Sequence, residues 1–229
     1  MHRETGRGQA SAEPPPRPSI KKRRSGVGGY DRGYAACPCY WGAEPSSLVR
    51  DFLRTRETFD TLRVLDAGCG EGKNAAAFAR LGSTVEAIDV SAKAVANGRA
   101  AWPSLANIHW REGDVSDPRI GLGEYDVVIA YGLVHCLRSP RKVRDVIRRL
   151  QAHTIPGGYH ILCAFNDRYQ DLTAHPGFAP TLIAHSEYVA AYTSWTLLLA
   201  TDSDLHDVHP DNGLAHDHSL TRILARRPR

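Results

Sequence analysis

The chain has 229 residues, enough for one α/β domain with a substantial core, and a formal net charge of +4. The charge is uneven: residues 1–29 hold seven Lys/Arg against two acids, while the rest of the chain holds 22 bases and 23 acids. The body therefore makes no electrostatic case for nucleic acid. The absence of any apolar run of about 18 residues excludes a helical membrane span.

Residues 1–29, with Pro14-Pro15-Pro16 and the basic run Lys21 to Arg24, show no apolar periodicity and are expected to be a disordered basic tail. The tail lacks the apolar stretch of a secretory signal. Five cysteines, three of them within or beside apolar runs, fit a reducing, cytoplasmic setting. Residues 30–229 read as one domain: an N-terminal lid and helical segment (30–58), a cofactor-binding core (60–166), and a helix with a closing hairpin (167–229). Tyr30, Tyr34, Tyr40 and Trp41 crowd the first segment and are candidate walls of a substrate pocket. Cys37 and Cys39 have no second cysteine pair with which to make a four-cysteine zinc site.

The core alternates strand and helix. Leu62 to Asp66 is a short apolar strand, Asn74 to Leu81 an Ala-rich helix closed by Gly82, and Thr84 to Val90 a second strand. Ser91 caps a helix to about Trp102, ended by Pro103. Ile108 to Arg111 is a weaker third strand, Tyr125 to Ala130 a fourth, and Pro140 opens a helix to about His153. Pro156-Gly157-Gly158 is a turn before a fifth strand, Tyr159 to Phe165. Ser186 to Trp195 reads as a helix, and Thr196 to Thr201 and Ser219 to Ala225 as an antiparallel hairpin around a polar, His-rich loop. The fold class is thus α/β, a doubly wound, mostly parallel sheet with an antiparallel C-terminal hairpin.

In such a sheet, ligands bind outside the carboxyl ends of the strands. The first strand ends in Asp66-Ala67-Gly68-Cys69-Gly70-Glu71-Gly72. The glycines let backbone approach a ligand, and the following helix offers unpaired N–H groups. An acid ahead of the glycines would repel a pyrophosphate and suits a ligand with an ammonium end. Asp89, about 20 residues on at the end of the second strand, is placed to accept from ribose hydroxyls. Asp114, after the third strand, is placed to accept from an exocyclic amine. Tyr131 to His135 should line the floor between cofactor and substrate, with His135 a candidate base. His206, His209, His216 and His218 lie among several aspartates without a tetrahedral metal-ligand spacing, so no metal is expected; His216 or His218 is expected to face the substrate opening as a polar contact or base.

Taken together, Val64 to Gly72, Ala87-Ile88-Asp89-Val90-Ser91, Gly113-Asp114, Tyr125-Asp126-Val127-Val128 and Pro156-Gly157-Gly158-Tyr159 resemble the class I S-adenosylmethionine-dependent methyltransferases. Gly70-Glu71-Gly72-Lys73-Asn74-Ala75 and the ending Arg222-Ile223-Leu224-Ala225-Arg226 are similar to the small-molecule branch around the tellurite-resistance methyltransferases. The resemblance implies a seven-stranded Rossmann-like sheet with an antiparallel last strand. It implies S-adenosyl-L-methionine as cofactor, with Asp66, Gly68 and Gly70 around its methionine part. Asp89 falls on the ribose, Asp114 and Val115 on the adenine, and Tyr131 near the sulfonium. No Asn/Asp-Pro-Pro-Tyr/Phe follows the fourth strand, a departure from nucleobase-amine methyltransferases. The expected activity is methyl transfer to a small-molecule acceptor. The alternatives are an RNA methyltransferase aided by the basic tail and a non-catalytic cofactor-binding module.

Overall fold

The computed structural model describes residues 30–55, 58–210 and 212–229. The basic tail lies outside them. Two short helices, α1 (Asp31–Ala36) and α2 (Ser47–Leu53), precede the sheet. The core then runs β1 (Arg63–Ala67), α3 (Lys73–Arg80), β2 (Thr84–Asp89), α4 (Ala92–Ala101), β3 (Ile108–Glu112), β4 (Tyr125–Tyr131), a 3-10 turn at Val134–Cys136, α5 (Pro140–Ala152) and β5 (Thr154–Gln170). The chain ends with α6 (His185–Ala190), β6 (Thr196–Val208) and β7 (Ala215–Arg226).

The seven strands form one sheet in the order β3-β2-β1-β4-β5-β7-β6. β1 to β5 pair in parallel, and β7 is antiparallel to both β5 and β6. The order reverses between β1 and β4, so their carboxyl ends flank the crevice where doubly wound sheets bind ligands. Both faces of the sheet are covered, which is why β1 and β4 are apolar without alternation. On one face α5 buries Val143, Val146, Ile147 and Leu150 together with Tyr188 and Tyr192. On the other, Phe52 of α2, Phe78 of α3 and Phe59, between α2 and β1, pack over Val64, Val127 and Ile161. Each such fully buried side chain contributes roughly 1.5–3 kcal/mol.

Local chemistry explains the boundaries. Ser91 Oγ accepts from Ala94 N at the start of α4, and Ser139 does the same for Lys142 N ahead of Pro140. Three expectations need correction. The Pro156-Gly157-Gly158 segment lies inside β5 rather than before it; pairing with β4 jumps from Tyr125↔Thr154 to Val127↔Tyr159, with Gly157 at φ 79° absorbing the irregularity. The expected helix to Trp195 stops at Ala190, because Thr193, Ser194 and Trp195 form turns into β6. The His-rich stretch is mostly strand: β6 continues to Val208 and β7 begins at Ala215, pairing His206 with Asp217 and Leu205 with His218. Residues 202–208 alternate exposed Asp202, Asp204, His206 and Val208 with half-buried Ser203, Leu205 and Asp207, so an apolar run is absent although the ladder is complete.

Candidate active site

A cavity of about 640 Å³ opens at the carboxyl ends of β1, β2 and β4 and extends to β5, β6 and β7. Its first wall is the β1–α3 turn. Gly68, Gly70 and Gly72 all have positive φ (69°, 54° and 76°), a conformation costly to residues with a Cβ. The turn is pinned to β2: Gly68 N and Cys69 N donate to Ile88 O, and Gly70 N donates to Asp89 Oδ2 at 2.8 Å. Asp89 Oδ1 accepts from Ser91 N, also at 2.8 Å. Each oxygen keeps a lone pair for a ligand hydroxyl. Burial holds the Asp89 carboxyl above its ordinary range, opposed by those backbone N–H groups.

Of the residues expected around a cofactor, Gly68, Gly70, Asp89, Asp114, Val115 and Tyr131 all line the cavity. Asp66 does not. It is 1 % exposed, and its Oδ2 accepts from Ala75 N at 3.0 Å, tying β1 to the first turn of α3. Burial, and next the Ala75 bond acting against it, set its carboxyl at about 7 instead of the ordinary 3.8. A carboxyl whose folded-state value is raised favours folding while protonated, and that contribution is lost as pH rises through the folded value. The stability of the wild type relative to Asp66→Asn is therefore expected to fall between about pH 4 and 7, by on the order of 3 kcal/mol. Paired urea unfolding curves at pH 4.5 and 8 check this; a pH-independent difference would rule it out.

The N-terminal segment forms the next wall. Tyr30, Tyr34 and Trp41 line the cavity, whereas Tyr40 is turned into the packing beneath, against Gly33. Trp41 meets Tyr30 and Tyr40 edge-on at 5.3 and 4.8 Å. Glu71, which the sequence reading passed over, anchors this segment: its carboxylate accepts from Cys39 N, Tyr40 N and Asn97 Nδ2. Lys73 Nζ donates to Trp41 O at 2.7 Å. The glycine turn and the segment above it are thus joined through Glu71 and Lys73, on either side of Gly72.

The far wall gathers histidines. His135 is 3 % exposed and stacks on Phe165 at 4.1 Å. Its Nδ1 accepts from Phe165 N at 3.1 Å, so Nε2 carries the proton. Burial pushes its pKa down to about 3. His135 is therefore a neutral hydrogen-bond donor at neutral pH, not the base that its position suggested. Phe165 stacks in turn on His218 at 4.2 Å. His218 lines the cavity and His216 sits directly behind it, their rings 4.8 Å apart. His206 points away and pairs with Asp217 on the exposed side of the hairpin. Sequence reasoning missed His175, which arrives from the loop after β5, and Arg222, whose guanidinium lines the cavity and bonds Ser203. Ligand spacing gave no reason to expect a metal, yet His175, His216 and His218 present ring nitrogens within 4.8 Å of one another, as do ligand atoms of Asp207, His209 and His216.

A methyltransferase-domain family profile matches residues 64–158, from the middle of β1 to the irregular start of β5. The same residues carry the glycine turn, Asp89 and Asp114. Over that segment the chain is similar to the class I S-adenosylmethionine-dependent methyltransferases. Within that family it is similar to the probable S-adenosyl-L-methionine-dependent methyltransferase TehB of Haemophilus influenzae, 26 % identical over 80 % of this chain and 63 % of that one. The crystal structure of TehB from Haemophilus influenzae shares the fold, with a TM-score of 0.66 at 22 % identity over 78 % of this chain and 61 % of that one. Hemagglutinin 1 of Eikenella corrodens is 31 % identical over 66 % of this chain and 49 % of its own length. A ubiquinone biosynthesis O-methyltransferase of a Caulobacter species is 35 % identical over 48 % of this chain and 44 % of its own. The chain thus spans about half the length of the curated relatives it matches.

Proposed function

We propose that this methyltransferase moves a methyl group from S-adenosylmethionine to a small-molecule acceptor. One observation carries the reading: a single cavity joins the glycine turn, Asp89, Asp114 and Val115 on one side to the aromatic and histidine walls on the other. Asp89 accepts from the ribose hydroxyls, Asp114 and Val115 flank the adenine, and Gly68 and Gly70 let backbone approach the methionine part. Tyr131 stands on the sulfonium side; burial raises its hydroxyl to about 12, so it stays neutral. Asp66 acts one step removed, by holding the start of α3.

When bound, S-adenosylmethionine supplies a methyl group on a sulfonium leaving group. The residues around it contribute chiefly by holding the acceptor in line, which lowers a barrier by roughly 7–11 kcal/mol in well-oriented cases. Tyr30, Tyr34 and Trp41 wall the acceptor and exclude water, while His135 offers its Nε2–H as a polar contact and His218 lines the wall beside it. A cavity of about 640 Å³ favours a small acceptor over a polymer. No helix among the described residues is long and apolar enough to cross a membrane, and all five cysteines are free thiols, which supports a cytoplasmic setting.

Calorimetric titration with S-adenosylmethionine and S-adenosylhomocysteine tests the reading. One site per chain in the micromolar range is expected for both; no heat at millimolar ligand would overturn it.

A further inference from the structure

The histidines beside the cavity do more than line it. His218 Nδ1 lies 2.8 Å from Gln170 Oε1. Gln170 is oriented by its own amide, since Nε2 donates to Asn166 O and Ser219 O, which leaves Oε1 as an acceptor. His218 therefore carries its proton on Nδ1. His216 Nδ1 lies 2.9 Å from Leu214 O, a carbonyl, so His216 is protonated on Nδ1 as well. In both neutral rings Nε2 is then a bare lone pair. Those two lone pairs converge on the same atom: His175 Nε2 stands 3.1 Å from His216 Nε2 and 3.0 Å from His218 Nε2. One N–H on His175 cannot serve two lone pairs equally well. All three residues are more than nine-tenths buried, so water does little to settle the difference.

We propose that His175, His216 and His218 form a three-histidine site for a divalent transition metal such as zinc, open toward the cavity. A cation at the convergence point satisfies all three nitrogens at once. Zinc–nitrogen bonds of about 2.0–2.1 Å put neighbouring nitrogens of a tetrahedral site roughly 3.3–3.4 Å apart, a few tenths of an ångström beyond the separations seen. The Nδ1–H bonds to Gln170 and Leu214 are the outer hydrogen bonds that fix tautomer and ring orientation in histidine metal sites. Nitrogen donors in this number select zinc and its borderline neighbours over calcium or magnesium. Asp207 and His209 lie against the cluster, 3.6 Å apart, and both line the cavity with His175 and His218. The fourth coordination position therefore faces the space assigned to the acceptor. Resting on the methyl-transfer reading, that position fits an acceptor with an anionic oxygen or sulfur, which the metal would hold deprotonated.

The test uses the full chain without an affinity tag, stripped with chelator, and titrated with zinc in a calorimeter and with cobalt in a spectrophotometer. One ion per chain is expected, with the intense visible bands of tetrahedral cobalt and a raised melting temperature. His218→Gln should weaken zinc binding at least about 100-fold, whereas His206→Ala, on the exposed side of the hairpin, should leave it unchanged. Weak cobalt bands of six-coordinate type, or equal loss in both variants, would overturn the site. If His218→Gln does not fold, the wild-type cobalt spectrum decides alone. S-adenosylhomocysteine titration of the stripped chain reports on the cofactor reading separately, so either idea can fail without the other.

Discussion

Asp89→Ala is expected to weaken S-adenosylhomocysteine binding by about 100-fold, close to 2.8 kcal/mol at 1.4 kcal/mol per tenfold. Two losses add. The ribose hydroxyls lose a charged acceptor, and hydrogen bonds to ionised groups are worth roughly 1.5–3 kcal/mol. Gly70 N–H also loses the oxygen that holds it at 2.8 Å, so the turn under the methionine part is no longer fixed to β2. Asp89→Asn retains one carbonyl oxygen and should show a smaller loss, near tenfold. Calorimetry at constant salt measures both. A change under threefold in both variants, with melting temperatures intact, would remove Asp89 from the cofactor site.

Gly72→Ala is expected to cost about 2–5 kcal/mol of stability. Gly72 is the cap of α3 and has φ 76°, where a Cβ costs roughly 1–2 kcal/mol. The added carbon would also stand 2.3 Å from Trp110 Cη2 and 2.8 Å from Cζ3. Trp110 is hemmed in, since the same ring edge also lies tight against Gly98 on α4. Overpacking of this kind costs typically 1–3 kcal/mol. Urea unfolding should show a lower midpoint at unchanged slope. Adding Trp110→Leu should return only the overpacking share, leaving the backbone cost. An unchanged midpoint for the single variant would show that the turn relaxes freely.

The parts of the site that were legible in the sequence are those built within residues 66–115. Strand, glycines, helix and the acid ending the next strand are a local signature, and Gly68, Gly70, Asp89, Asp114 and Val115 all stand at the cavity. Asp66 misled because an acid before glycines looks like a ligand contact; only the packed structure shows its carboxylate turned to Ala75 N. His135 misled for a similar reason, since sequence does not show which ring nitrogen is already bonded. The histidine cluster was illegible. Its members come from the loop after β5 and from β7, more than 40 residues apart, and are joined by strand register alone. β6 was cut short at Thr201 because its outer half is polar, as an edge strand facing water can be.

The order of walls along the chain divides the cavity. Everything assigned to the cofactor, Tyr131 included, precedes α5, whereas His175, Asp207, His209, His216, His218 and Arg222 all follow it. Changes in β6, β7 and the loop before α6 would therefore rework the histidine wall without touching the cofactor half, whereas the aromatic wall of Tyr30, Tyr34 and Trp41 precedes both. Exchange of residues 166–222 is thus the natural unit for replacing the histidine wall alone.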